Sequence, residues 1–323
     1  MNRILSIDLA RVIGMIFVML IHSPFSEENN LPHYLLKNYI AGGAVPLFFL
    51  MAGYFSTKNM NSSNIKTLDF LKKRFYTLIL PFLFWNSAIL LLVFIAKLSG
   101  ISSSFTGEGA YFNVEKNLSS ILSALFGIGR GPIVYQFWFL RDLIVVSVTA
   151  FLLRKWIVKI PFLAWVLFFI PLPFAKSMGY YLLGYSVAEN PVKLQIKKGS
   201  CLIFSIIWVG LGIGSFWGVI TISAPLQQIG SALFIFLVAQ ILSDSSIGNR
   251  ISTLGTAVFF MYATHEPLQT IIAKIWQKTA LPGYGSLGCF LIIPVVTFFA
   301  CWIGYIGVKK FTPRLLPILT GGR

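Results

Sequence analysis

An aspartate, an arginine and a histidine occupy the first apolar stretch of this 323-residue chain, as Asp8, Arg11 and His22 of segment 4–23. A carboxylate or guanidinium at the centre of a membrane helix costs on the order of 3 kcal/mol, so such groups persist there when they are paired or functional. At 100° per residue, Arg11 and His22 are three turns plus about 20° apart, and Asp8 lies within about 60° of Arg11 and about 40° of His22. All three project from one face, while Ile4, Leu5, Val12, Ile16 and Leu20 cover much of the rest. A polar stripe on an apolar helix faces other helices or a water-filled cavity, not lipid. Imidazole titrates near neutrality and can take a proton from a hydroxyl, and a guanidinium can hold phosphate through paired hydrogen bonds. Simpler readings stay open. Asp8 and Arg11 fit a local i,i+3 ion pair with heads at the interface, and His22 fits an interfacial histidine.

Further candidates are sparser. His265 and Glu266 fit acceptor contacts, a support for a base, or a buried structural pair. Arg141 and Asp142 read as a structural ion pair, and His33 as a solvated loop residue. There is no Walker-type glycine loop, no metal-ligand cluster and no Gly-x-Ser-x-Gly elbow. Cys201, Cys289 and Cys301 fall in apolar runs and read as small core residues.

The elements that would position these groups are membrane helices. The chain is 56% hydrophobic and 11% charged, with a mean hydropathy of +0.79, against about 25% charged residues in soluble domains. The expected fold is all-α and polytopic, a single transmembrane domain over 1–323. About ten spans are expected, near 4–23, 42–57, 76–97, 134–153, 159–171, 177–188, 200–219, 225–242, 254–275 and 287–308. The second, fifth and sixth are short for full crossings. The first reads as a retained span, since it is too long and too charged for a cleaved signal.

The net charge of +16 is spread between spans, so it reads as topology instead of a nucleic-acid surface. One set of alternate connections, with Arg3, holds 17 basic residues: Lys58, Lys66, Lys72, Lys73, Arg74, Arg154, Lys155, Lys159, Lys193, Lys197, Lys198, Arg250, Lys309, Lys310, Arg314 and Arg323 are the others. The opposite set holds seven: Lys37, Lys97, Lys116, Arg130, Lys176, Lys274 and Lys278. The positive-inside rule then places both termini in the cytoplasm. The long external connection 98–133, with Gly107, Gly109 and the run from Gly127 to Pro132, fits either a folded loop at a mouth or a plain connector. No internal repeat is visible, which weakens an inverted-repeat transporter reading.

These residues resemble the acyltransferase-3 family of integral membrane acyltransferases. Asp8, Arg11 and His22 resemble its opening pattern, in which ten residues separate Arg from His. Gly42-Gly43-Ala44-Val45-Pro46-Leu47-Phe48-Phe49-Leu50-Met51-Ala52-Gly53-Tyr54 is similar to its glycine-rich second span. Lys72-Lys73-Arg74 followed by Pro81 and Trp85, Phe137-Trp138-Phe139-Leu140, and Tyr262-Ala263-Thr264-His265-Glu266-Pro267-Leu268 follow in the family's order. Ala52 stands where the family usually has Ser, and Thr77 where many members carry a second arginine.

The resemblance implies transfer of an acyl group, usually acetyl from coenzyme A, to a sugar hydroxyl at the membrane. It implies His22 as general base in a catalytic set with Asp8 and Arg11. It implies donor phosphates at Arg11, Lys72, Lys73 and Arg74, and acceptor or acyl-arm contacts at Gly42, Gly43, Trp138, His265 and Glu266. Arg11 and His22 are about 16 Å apart along a helix, a distance that a pantetheine-like arm can bridge. Acetyl-CoA is then a donor substrate with no permanently bound cofactor. The acceptor is a glycan or lipid-linked sugar, and the partners include membrane lipids but no metal or nucleic acid. The expected location is the inner membrane. The competing reading is a transporter or flippase whose charged residues line a permeation route.

Overall fold

A computed structural model of the chain describes residues 4–26, 30–61, 65–99, 114–157, 160, 162–172, 174–189, 196–279 and 283–322. Gly107 and Gly109 of the long connection lie outside the described residues, as do Arg3, Lys159, Lys193, Arg323 and the side chain of Lys58. In chain order the α-helices are α1 (Leu5–Ile21), α2 (Leu31–His33), α3 (Ala44–Asn61), α4 (Thr67–Arg74), α5 (Leu80–Leu98), α6 (Leu118–Phe126), α7 (Trp138–Leu152) and α8 (Arg154–Ile157). They continue as α9 (Leu163–Val166), α10 (Ala175–Glu189), α11 (Lys198–Phe216), α12 (Ala224–Ser243), α13 (Ser246–Ser252), α14 (Val258–Lys278), α15 (Leu287–Phe311) and α16 (Leu316–Thr320). No strand occurs among the described residues.

Six helical runs among the described residues are long and apolar enough to cross a bilayer: Leu31–Thr57, Thr67–Leu98, Tyr135–Leu152, Lys198–Phe216, Ala224–Ser243 and Leu287–Phe311. Their outward faces carry large apolar side chains, such as Leu91, Leu92, Ile95, Ile203 and Ile206. A bilayer solvates such a face, whereas water does not. The chain is an all-α, multi-pass membrane protein.

Two of these runs are longer than the sequence pattern suggested. The stretch expected at 42–57 is the last part of a 27-residue run that starts at Leu31. The helix passes through Lys37, Gly42 and Gly43 as a wide π segment, Tyr34–Ile40, and a tight 3-10 turn, Ala41–Gly43. Likewise the basic stretch ending in Arg74 joins α5 through a π segment, Phe75–Ile79, just before Pro81. A π turn accommodates the donor that proline lacks. Conversely, α10 has 15 residues, about 22 Å of helix, short of the ~30 Å hydrocarbon core.

The chain divides into two compact units. The first holds residues 1–61 and 155–307. In it α1 packs against α3, α12 and α14. Helices α3 and α10 meet backbone to backbone: a Cβ on Gly53 would lie 1.8 Å from the Tyr181 carbonyl oxygen, and one on Gly184 would lie 1.9 Å from that of Leu50. Gly184→Val must therefore push the two helices apart. Overpacking of this kind costs about 1–3 kcal/mol or more. A lowered melting temperature in detergent and reduced membrane abundance are expected, and a wild-type melt for this variant would contradict the close approach.

The second unit holds residues 62–154 and 308–323. Here the Trp85 indole donates to the Leu319 carbonyl at 3.1 Å, tying the C-terminal turn to α5. Asn86 Oδ1 accepts from the Val134 N–H at 3.1 Å, and the Ile133 N–H reaches the Ala124 carbonyl at 2.7 Å. Arg141 donates to the Gly127 carbonyl at 2.8 Å and pairs with Asp142 at 3.0 Å. The segment 127–134 is thus a folded turn, and Arg141 with Asp142 forms the structural ion pair expected of them.

Candidate active site

Helix α1 begins after Ile4, whose backbone is extended, and ends at His22, where φ −90 and ψ 0 close the last turn. Its buried face runs through Ile7, Leu9, Ala10, Val12, Gly14, Met15, Val18, Met19 and Leu20. The polar residues sit at its two ends. Near the start, Arg11 Nη1 donates to Asp8 Oδ1 at 3.1 Å, and the guanidinium carbon lies 5.3 Å from the Phe55 ring centroid on α3. Gly255 faces Asp8 closely: a Cβ there would be 3.3 Å from the Asp8 Cβ. The carboxylate therefore holds Arg11 in place. Asp8 is about 21 Å along the helix from His22, so within α1 it orients the guanidinium and not the imidazole.

At the other end, the His22 ring meets His265 of α14, with centroids 5.6 Å apart and planes tilted by 46°. The His22 N–H donates to the Met19 carbonyl at 3.2 Å, and the same carbonyl accepts from Gln269 Nε2 at 2.8 Å. His265 and Gln269 are 0% and 2% exposed, which makes this one of the most polar buried places in the unit. Glu266 Oε1 accepts from Thr270 Oγ1 at 3.1 Å on the next turn. Beside His22, Ser23 Oγ donates to the Phe290 carbonyl at 2.9 Å, and Lys37 Nζ donates to the Ser23 carbonyl at 3.2 Å. A cationic amine thus stands one residue from the imidazole. Lys37 was assigned by sequence to a connection; it lies instead inside the 31–57 run.

His33 is not a solvated loop residue. Its ring stacks on Phe25, with centroids 3.8 Å apart and 11° between planes, and meets Phe290 edge-on at 5.0 Å. The proline at the start of α2 and the Asn30 cap turn the chain so that His33 packs inward.

The two glycines of the second span differ. A Cβ on Gly43 would strike Ala232 N at 2.4 Å, so Gly43 lets α12 approach, whereas a Cβ on Gly42 would meet nothing within 4 Å. Gly42→Ala is expected to leave abundance and melting temperature at wild-type values. Lower activity in that variant would show that a ligand passes the position, and lower stability would contradict the open space.

The remaining candidates belong to the second unit. Lys72 and Lys73, in the last turn of α4, are exposed. The Arg74 guanidinium lies 5.0 Å from the Phe70 ring centroid, and Phe70 stacks on Phe151 at 3.8 Å. Arg154 caps the other ring of this stack, 4.1 Å from the Phe151 centroid. Thr77, where a second arginine was anticipated, donates to the Lys73 carbonyl at 2.9 Å, and its own carbonyl lies where a Cβ of Gly321 would be, at 2.2 Å. Trp138 opens α7 and is 39% exposed. Among the described residues no group of His, Cys, Asp and Glu forms a metal site, and Cys201, Cys289 and Cys301 are free and buried.

One helix of a membrane bundle thus carries an Arg–Asp pair at one end and, at the other, a half-buried histidine against a buried one. The sequence profile described as an acyltransferase domain matches residues 4–306, nearly the whole chain. The chain belongs to the acyltransferase-3 family. The succinoglycan biosynthesis protein ExoH of Rhizobium meliloti (strain 1021) is similar to it, 23% identical over 276 residues that cover 78% of this chain and 72% of that protein. No solved structure matches the chain.

Proposed function

We propose that the protein is an O-acetyltransferase of the cytoplasmic (inner) membrane. It moves the acetyl group of acetyl-CoA to a hydroxyl of a lipid-linked or cell-surface glycan. His22 takes the hydroxyl proton as the oxygen attacks the thioester carbonyl. The new ester C–O bond forms, the C–S bond breaks, and coenzyme A leaves as its thiol once protonated. Both termini lie in the cytoplasm, where the donor is made. Arg11 binds its phosphates, and the basic turn Lys72, Lys73 and Arg74 is a separate candidate for the same role.

The observation that carries this reading is the His22–His265 contact at 5.6 Å, at the end of α1 opposite the Asp8–Arg11 pair. An imidazole beside buried polar groups, in a chain of an acyltransferase family, supports a histidine base. The printed name of the Rhizobium relative concerns the making of succinoglycan, a polysaccharide, which supports a glycan acceptor. The excess of basic residues on one set of alternate connections supports the orientation.

Purified protein is expected to release thiol from acetyl-CoA in the presence of a glycan acceptor. A protein that binds glycan but never releases thiol would instead be a carrier. Reporter fusions test the topology. Alkaline phosphatase is expected to be active when fused at Gly109 and inactive at Arg323, and activity at Arg323 would overturn the orientation.

A further inference from the structure

Helix α14 presents His265 and Gln269 one turn apart against the end of α1 that carries His22. Both side chains are more than nine-tenths buried, at 0% and 2% exposure. One end of each is fixed by a backbone carbonyl. His265 Nδ1 lies 2.8 Å from the Tyr262 oxygen. A carbonyl only accepts, so Nδ1 carries the hydrogen and Nε2 of the neutral ring keeps its lone pair. Gln269 Nε2 donates to the Met19 oxygen at 2.8 Å, which fixes the amide and leaves Oε1 as an acceptor. Neither His265 Nε2 nor Gln269 Oε1 has a hydrogen-bond partner. Buried polar atoms are normally satisfied, so two orphaned acceptors one turn apart call for a ligand or water that donates.

The chemistry of that ligand follows from the atoms. Both are acceptors. A carboxylate or a phosphodiester, which only accepts, cannot satisfy them. A hydroxyl can, since it brings an O–H. Side chains at i and i+4 start about 5–6 Å apart, and adjacent hydroxyls on one sugar ring can reach both through hydrogen bonds of about 2.8 Å. We propose that His265 Nε2 and Gln269 Oε1 read neighbouring hydroxyls of the acceptor sugar. The site lies beside His22, because the Met19 carbonyl that anchors Gln269 also accepts from the His22 backbone N–H. The role given to this site in catalysis rests on the acetyl-transfer reading; its ability to bind a diol does not.

The test uses the full chain in detergent, with methyl β-glucoside and its monodeoxy derivatives as probes. Thermal stabilisation measures binding, and thiol release from acetyl-CoA measures transfer. Wild type is expected to be stabilised by the glucoside, with at least one deoxy derivative about 10-fold weaker. Gln269→Leu and Gln269→Met are expected to bind the glucoside about 10-fold more weakly and to lose the distinction between parent and that deoxy sugar. His265→Phe, which keeps a ring, is expected to do the same. Acetate, an anion that only accepts, is expected to give no stabilisation. Equal binding by wild type and both Gln269 variants, or no wild-type stabilisation at all, would mean that the two acceptors hold water only and would overturn the site. If the binding pattern appears without thiol release, the transfer reading falls and the hydroxyl site stands. If transfer occurs and the Gln269 variants match wild type, the site falls alone.

Discussion

Replacing His22 with alanine or glutamine is expected to reduce acetyl transfer by about 10²–10⁴-fold, the range commonly lost with a general base. Membrane abundance is expected to stay near wild type. His22 lies at the end of α1 and not within it, so the helix keeps its hydrogen bonds: the backbone N–H at position 22 still reaches the Met19 carbonyl whatever the side chain. The ring is only half-buried, so its loss leaves no large cavity. Glutamine retains hydrogen-bonding capacity but cannot accept a proton near neutral pH, and so separates polarity from basicity. His265→Phe is expected to fall less far in maximal rate, because it removes an acceptor contact and not the base. Transfer is measured as acetylated product per unit of membrane protein. Full activity of His22→Ala at normal abundance would discard the mechanism and turn attention to His265.

The sequence made the bundle visible because apolar length and alternating basic connections follow from the bilayer itself. It also made the polar stripe of α1 visible, because Asp8, Arg11 and His22 repeat close to the helical period. The boundaries were harder to read. The second span was expected to begin at Gly42, but a π turn and a 3-10 turn join it to the residues before it, and Gly43 lets α12 approach. His33 looked solvated because the partners that bury it, Phe25 and Phe290, are distant in sequence or unremarkable in type. Gln269 escaped because a neutral amide among apolar residues carries no charge signal. Extending the face of His265 by four residues would have reached it. Lys37 was read into a connection because a charge ordinarily lies outside a span. Arg141 and Asp142 were legible because adjacent opposite charges in an apolar segment have few alternatives to pairing.

Arg11 separates a structural ion pair from a donor contact, and its two substitutions are expected to behave differently. Arg11→Ala removes the 3.1 Å salt bridge to Asp8, and charge in an apolar segment is stabilised by such pairing. A drop in abundance is therefore expected alongside weaker donor binding. Arg11→Lys keeps a cation for Asp8, so abundance is expected to recover. It loses the planar fork that binds phosphate through two parallel hydrogen bonds. A hydrogen bond to a charged group contributes about 1.5–3 kcal/mol, which corresponds to roughly 10- to 150-fold in affinity. The apparent KM for acetyl-CoA is expected to rise by about that factor in both variants, with the acceptor KM unchanged. The double variant Asp8→Asn/Arg11→Gln removes both charges together. It is expected to regain abundance while keeping the raised donor KM, since an ion pair that is merely structural can be replaced as a unit. If all three variants fold and bind acetyl-CoA as wild type does, Arg11 serves only Asp8, and the donor phosphates are held elsewhere.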